Sequence, residues 1–269
     1  MIRRLIILLL IVGCDNSTEP IVCDEGLTNV DGECYYQSDL DVLQDIINNS
    51  QGGEHPPPSD LSPIELGSVN KWKEGRLVEF CNAYNTWQGC YSIYELSGYI
   101  PESIGNLTNL ISLYIYNNQL TGSIPLEIGN LTNLAHLNLS HNQLTAVPLE
   151  IGNLTNLAFL YLAHNALTGS ILPEIGNLTN LTSLELYHNQ LTAVPPEIGN
   201  LTNLERLKLH SNQFSSVSDS ICNLTNLSWS SGYEYWDFNI YNNQLCPPYP
   251  SCIEDYVGEQ DTTNCVTPN

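Results

Sequence analysis

Between Leu107 and Asn223 the sequence returns to Leu-Thr-Asn-Leu every 23 or 24 residues, five times over. The units run Leu107–Asn130, Leu131–Asn153, Leu154–Asn177, Leu178–Asn200 and Leu201–Asn223. Inside each, apolar residues hold the pattern LxxLxLxxNxL, with Ile115 and Phe214 among the substitutes for Leu. One unit is too short to bury its own apolar side. Neighbouring units must supply the other wall of the core, so the chain has to stack into a solenoid.

The second unit, LTNLAHLNLSHNQLTAVPLEIGN, shows how each turn is built. Leu137 and Leu139 alternate with His136, Asn138 and Ser140, the period-two signal of a short strand with one face inward. Corresponding pairs are Leu113 and Ile115, Leu160 and Leu162, Leu184 and Leu186, and Leu207 and Leu209. Stacking these strands predicts a parallel sheet. The aligned Asn118, Asn142, Asn165, Asn189 and Asn212 fall where the chain turns inward. An amide there can both donate and accept, so the column reads as an internal hydrogen-bond ladder rather than a carbohydrate or ion groove.

The return half of each unit, with Ile124-Pro125, Val147-Pro148 or Val194-Pro195 before Ile-Gly-Asn, lacks a helical period. Frequent Pro and Gly predict extended or 3₁₀ segments. Ile128, Ile151, Ile175 and Ile198 are expected to close the core, and the glycine after each to let the backbone turn. The later proline of Ile171-Leu172-Pro173 calls for a small local adjustment.

These motifs closely resemble the leucine-rich repeat family. The form LTGSIPLEIGNL is similar to its plant-type subclass, while LTAVPLEIGNL and LTAVPPEIGNL lie nearer the general bacterial type. The resemblance covers residues 96–252, with Leu61–Ser97 as a degenerate N-terminal cap. It implies an α/β-type leucine-rich repeat solenoid with a parallel concave sheet, mostly extended or 3₁₀ convex segments and fastened caps. It also implies binding of proteins or peptides on the concave sheet.

Five stretches are expected: a leader over 1–13, an acidic segment with a short helix and Pro-rich linker over 14–60, and a cap with partial repeat over 61–106. The five repeats over 107–223 and an irregular last repeat with C-terminal cap over 224–269 complete the chain. MIRRLIILLLIVGC pairs two arginines with an apolar run too short to span a membrane. Its Ile11-Val12-Gly13-Cys14 resembles a bacterial lipobox, which implies lipidation at Cys14 and a membrane anchor on the extracytoplasmic side of a cell envelope. Asp39–Asn49 carries Leu40, Leu43, Ile46 and Ile47 at helical spacing, with Ser38 as the expected N-cap. In the sixth unit Phe238 and Ile240 arrive eight residues late, after an insert holding Trp229, Tyr233, Tyr235 and Trp236.

Setting Cys14 aside, Cys23, Cys34, Cys81 and Cys90 precede the repeats and Cys222, Cys246, Cys252 and Cys265 end them. Even numbers at both ends suit disulfide-fastened caps in an oxidising compartment. Proximity favours Cys23–Cys34, Cys81–Cys90 and Cys246–Cys252, which leaves Cys222–Cys265.

The outward strand residues form columns. One is Tyr114, Asn138, Tyr161, Glu185, Lys208 and Asn239; the next is Tyr116, Ser140, Ala163, Tyr187, His210 and Tyr241. Tyrosine supplies contact area and a polar handle at modest entropy cost, so Tyr114, Tyr116, Asn138, Tyr161, Glu185, Tyr187, Lys208 and His210 are the candidate ligand-binding residues. At the strand ends, Asn117, His141, His164, His188, Ser211 and Asn242 line up. A straight histidine column without a thiolate or carboxylate partner fits tetrahedral metal geometry poorly, and no metal or cofactor is expected.

The formal charge is −22, about −24 once Arg3 and Arg4 leave with the leader. That excludes nucleic acid or an anionic lipid surface as the direct partner and leaves room for a basic one. The column Glu127, Glu150, Glu174 and Glu197 on the convex side reads as a solvated face. No nucleophile elbow, zinc-protease motif or phosphate loop appears, and the repeats leave no room for a conventional catalytic domain. The sequence therefore reads as a non-enzymatic, extracytoplasmic protein- or peptide-binding module. Two alternatives are an adhesion or spacer protein and an ice- or glycan-binding array built on Thr108, Thr132, Thr155, Thr179, Thr202 and Thr225, although these threonines are also placed to hydrogen-bond the turn they occupy.

Overall fold

The computed structural model describes residues 21–67, 70–84, 90, 92–227 and 238–265. Cys14, the leader and the aromatic insert lie outside the described residues.

The repeats stack as a solenoid. Its concave sheet has eight strands in the order Lys71–Lys73, Arg76–Cys81, Ser112–Tyr114, His136–Asn138, Phe159–Tyr161, Ser183–Glu185, Arg206–Lys208 and Phe238–Asn239. All neighbours are parallel except the first pair, which forms an antiparallel edge. Leu113, Leu137, Leu160, Leu184, Leu207 and Phe238 pair in one register. The late sixth unit thus returns to the sheet, with Phe238 beside Leu207 despite the insert. On the convex side, 3₁₀ turns span Glu102–Asn106, Leu126–Asn130, Leu149–Asn153, Pro173–Asn177, Pro196–Asn200 and Asp219–Asn223. The strand leucines and the convex isoleucines share one continuous core.

The asparagine ladder forms and spans turns. Asn142 Oδ1 accepts the Leu120 N–H at 3.0 Å, while its Nδ2 donates to the Ile115 carbonyl at 2.8 Å and to the Leu139 carbonyl at 3.0 Å. Asn118, Asn165, Asn189, Asn212 and Asn243 repeat the acceptance from the turn before. A second ladder runs outside it. The side chains of Asn133, Asn156, Asn180, Asn203 and Asn226 each donate to the carbonyl of the preceding unit's Thr, at 2.8–2.9 Å. The Leu-Thr-Asn-Leu signature is therefore half core and half backbone clamp.

The convex glycines have a different role from the expected turn. Their backbone is not left-handed; instead, a Cβ on Gly152 would lie 2.8 Å from the Glu174 carbonyl oxygen and 2.9 Å from its Cβ. Gly105, Gly129 and Gly176 meet the following turn in the same way. Close stacking of turns, not backbone rotation, requires glycine there. Left-handed glycines occur where a unit has 24 residues: Gly122 (φ 75°) and Gly169 (φ 78°) sit at register shifts that absorb the extra residue as bulges. In the third unit Leu172 precedes the 3₁₀ turn and Pro173 opens it, the adjustment that the displaced proline requires.

At the N-terminal end, the hairpin Leu27–Val30/Glu33–Tyr36 leads into helix Gln37–Asn49, whose Leu40, Val42, Leu43, Ile46 and Ile47 are buried. Ser38 is not its N-cap. Tyr36 holds that position without a side-chain bond, and the helix starts at Gln37. Ser38 Oγ turns instead to Asp39 and Arg76. The buried Asp39 accepts the Leu77 N–H at 2.8 Å and pairs with Arg76 at 3.1 Å, tying the helix to the first long strand.

Cys23–Cys34 and Cys81–Cys90 pair as expected, but the C-terminal bridges do not. They join Cys222 to Cys252 and Cys246 to Cys265. Proximity in sequence fails there because the cap crosses the end of the solenoid twice. Its first pass buries Ile253 and brings Cys252 beneath the convex turn that carries Cys222. Its second pass pairs Gln260 with Asn243 and returns Cys265 beside Leu245. The bridges thus link successive layers rather than near neighbours.

Candidate functional site

Strand alternation forces the outward side chains onto the concave surface, and parallel register brings them into columns. Tyr114, Asn138, Tyr161, Glu185 and Lys208 stand there half-buried. Lys208 and Glu185 pair at 3.2 Å, with the lysine also 5.7 Å above the Tyr187 ring. The middle of the face therefore carries two charges that largely cancel. Asn138 accepts the Ser140 N–H at 3.0 Å, which holds its side chain along its own strand.

The rings gather into two groups. Toward the N-terminal end, Tyr114, His136, Phe159 and Tyr161 surround a depression of about 240 Å³ whose remaining wall is Leu137 and Asn138. His136 stacks on Phe159 with centroids 4.9 Å apart. His136 and Phe159 belong to a column that the sequence reading did not use, the first outward position of each strand. The signal was available: Phe159 is a large apolar residue where Ser112, Ser183 and Arg206 stand in other turns. Tyr114 and Tyr116 also pack against Cys81, Ala83 and Cys90, so the N-terminal disulfide backs this group.

Two ring stacks run beside this group, one at the strand ends of the second to fourth repeats and one farther along the sheet. Tyr187, His210 and Tyr241 stack at 4.6 Å per step, and His141, His164 and His188 at 4.1 and 4.3 Å. Edge contacts join them, His164 to Tyr187 at 5.2 Å and His188 to His210 at 5.3 Å. His210 is only 3% exposed, so it stiffens the stack while Tyr187 and Tyr241 present more of their surface. Burial, together with the neighbouring imidazoles, lowers the pKa of His164 to about 4. Burial, His188 and Lys208 lower His210 to about 4 as well. Both rings are therefore neutral at pH 7.

The histidine column has a backbone cause. Asn117, His141, His164, His188, Ser211 and Asn242 all adopt a left-handed conformation, with φ of 53–56°. Asn and His are among the side chains enriched in that region, so residue choice here satisfies the turn into the ladder. No group of three or more potential ligands placed to hold a metal occurs among the described residues.

The Thr column Thr108, Thr132, Thr155, Thr179, Thr202 and Thr225 is exposed along the edge between convex and concave faces. Among the described residues these hydroxyls make no bond to the turn; instead the asparagine side chain of the following unit clamps the carbonyls of Thr108, Thr132, Thr155, Thr179 and Thr202.

The sequence matches the family described as leucine-rich repeat region over residues 88–188 and that described as leucine rich repeats (2 copies) over 179–226. The chain belongs to the leucine-rich repeat family. No curated protein sequence matches it. Among solved structures it is similar to the plant peptide hormone receptor RGFR1 in complex with RGF2, at 34% identity and a TM-score of 0.54, over 62% of this chain and 26% of that one. PEPR1-AtPEP1 shares the fold, with a TM-score of 0.67 at 24% identity over 83% of this chain and 32% of that one. A plant ice-binding protein matches at 25% identity and a TM-score of 0.59, over 80% of this chain and 69% of that one. The chain thus spans between a quarter and a third of the first two of these chains. No helix among the described residues is long and apolar enough to cross a membrane.

Proposed function

We propose that the protein is a non-enzymatic recognition module that binds a protein or peptide across its concave sheet. The observation that carries this reading is the pair of ring groups on one rigid face, with the Glu185–Lys208 pair between them. Rings held by stacking lose little entropy on contact, and a shallow sheet suits an extended polypeptide. The resemblance to a receptor bound to a peptide hormone supports the same class of partner. The acidic balance of the chain favours a partner with basic side chains. Selection of a displayed peptide library on the purified protein tests the proposal. Selected peptides should lose at least about tenfold in affinity when Tyr114, Tyr161 and Tyr187 are replaced together by Ala. Peptides that bind this variant equally well would remove the concave face from the function.

The proposal includes an address. Lipidation at Cys14 would tether the module to the extracytoplasmic side of a cell envelope, and the eight remaining cysteines in four disulfides suit an oxidising compartment. Mass spectrometry of the mature N-terminus tests it: a diacylated Cys14 is expected, and an unmodified Cys14 refutes it.

One observation favours a second reading, ice binding. The plant ice-binding protein is matched over more than two thirds of its own length, and the exposed Thr column offers hydroxyls at repeat spacing. A thermal-hysteresis measurement decides between the two, since concave peptide binding predicts no hysteresis.

A further inference from the structure

A second surface lies on the convex side, where helix Gln37–Asn49 meets the first three convex turns. A groove of about 950 Å³ opens there, a volume at the upper end of small-ligand and short-peptide sites. Of the seven large apolar side chains most exposed among the described residues, three wall this one groove: Tyr99 (61%), Leu126 (57%) and Leu149 (59%). The two leucines occupy one repeat position. At that position later units carry Pro173, Pro196 and Asp219. Scaffold requirements do not account for leucine there, because the later turns form with proline or aspartate in its place.

The other lining residues are as informative. Asp45, Glu102, Glu127 and Glu150 edge the groove, and no Lys, Arg or His lines it. Among the described residues, no cation pairs with any of these carboxylates. Gly105 and Gly129 let the backbone and Cβ of Glu127 and Glu150 seat directly against the preceding turn. Asp45 is held by the Ser103 hydroxyl at 2.6 Å. Apolar walls with an acidic rim are complementary to a segment bearing both aliphatic side chains and Lys or Arg.

We propose that this convex groove, formed by Tyr99, Leu126 and Leu149 under the rim of Asp45, Glu102, Glu127 and Glu150, docks a short basic, aliphatic polypeptide segment. It is a site separate from the concave sheet. The two surfaces face opposite sides of the solenoid, so one protein can hold two polypeptides at once.

Fluorescence anisotropy with a labelled Leu-Lys-Lys-Leu-Leu-Lys peptide tests the assignment, with Ser-Lys-Lys-Ser-Ser-Lys as a probe of equal charge. The leucine probe should bind at least about tenfold tighter than the serine probe. The double variant Leu126→Glu/Leu149→Glu should abolish that preference, although it makes the protein more acidic. Glu127→Gln/Glu150→Gln should weaken binding and flatten its salt dependence. The Tyr114→Ala/Tyr161→Ala/Tyr187→Ala variant should bind the leucine probe as the parent does, which separates this site from the concave one. Equal binding of the two probes, or a preference that survives the leucine substitutions or disappears with the tyrosines, would overturn the proposal. Circular dichroism of the leucine variant should match the parent, since both positions are exposed.

Discussion

Replacing Asn142 by Ala isolates what the internal ladder contributes. The side chain is 8% exposed and makes bonds to two layers. Its loss leaves the Leu120 N–H and the Ile115 carbonyl without their ladder partner. The Leu139 carbonyl is spared, because Asn165 Nδ2 also donates to it at 3.0 Å. Two orphaned buried groups at about 1–3 kcal/mol each give an expected loss of about 2–6 kcal/mol, a large share of the 5–15 kcal/mol typical of a folded domain. Asn142→Asp sharpens the test. One carboxylate oxygen still accepts from Leu120, but the other faces carbonyl oxygens and can donate nothing. At pH 7 this variant should be less stable than the Ala variant. Burial and the facing carbonyls raise its folded pKa above the unfolded value. Its deficit against wild type should therefore shrink as pH falls through that raised pKa. Urea unfolding with disulfides intact, followed by far-ultraviolet circular dichroism, measures all three proteins. A loss below about 1 kcal/mol for the Ala variant, or an Asp variant as stable as wild type at pH 7, would refute the ladder argument.

Two further outcomes follow from the same geometry. Because His164 and His210 have folded pKa values of about 4 against an ordinary 6.5, the unfolded chain binds more protons between those values. Their contribution is full above pH 6.5 and is lost as pH falls toward 4. The double variant His164→Asn/His210→Gln should show a smaller drop in Tm between pH 7.5 and 4.5 than the parent, and an identical drop would exclude these rings as the cause. Gly152→Ala should cost about 1–3 kcal/mol through collision with the Glu174 backbone. Gly122→Ala has open space and only the left-handed φ to oppose it, at about 1 kcal/mol. Thermal unfolding of both variants checks the order, and a reversed order would show that turn spacing is not what demands Gly152.

The period carried the architecture because each feature recurs with its reason. Leu137 and Leu160 must meet in register, Asn142 must serve the turn before it, and the prolines must open 3₁₀ turns. What the period could not carry was anything specified once. The pairing of Cys222 with Cys252 depends on the path of a cap that has no repeat. Ser38 has the right chemistry for an N-cap, but the hairpin before it and Asp39 behind it decide where the helix starts. On the concave face the two tyrosine columns were readable, whereas the role of Phe159 emerged only once His136 was seen stacked against it. The histidine column was legible as a column but not as to cause, since the left-handed backbone of His141, His164 and His188 leaves no mark beyond residue type.

The cap disulfides bear on where such a rod can open. In a one-dimensional array, peeling a terminal unit breaks one interface, while melting an internal unit breaks two. Free ends therefore fray first. Here Cys81–Cys90 fastens the first parallel strand, and Cys222–Cys252 with Cys246–Cys265 binds the last turn to its cap. Cys222–Cys252 crosses from the fifth repeat to the cap, so peeling at that end must carry both together, whereas Cys81–Cys90 closes a loop within the first layer and does not tie it to the next one. Protection from amide exchange should then slope toward the N-terminal end and stay level toward the C-terminal one, so the stack of Tyr187, His210 and Tyr241 sits on firmer ground than the rings around Phe159.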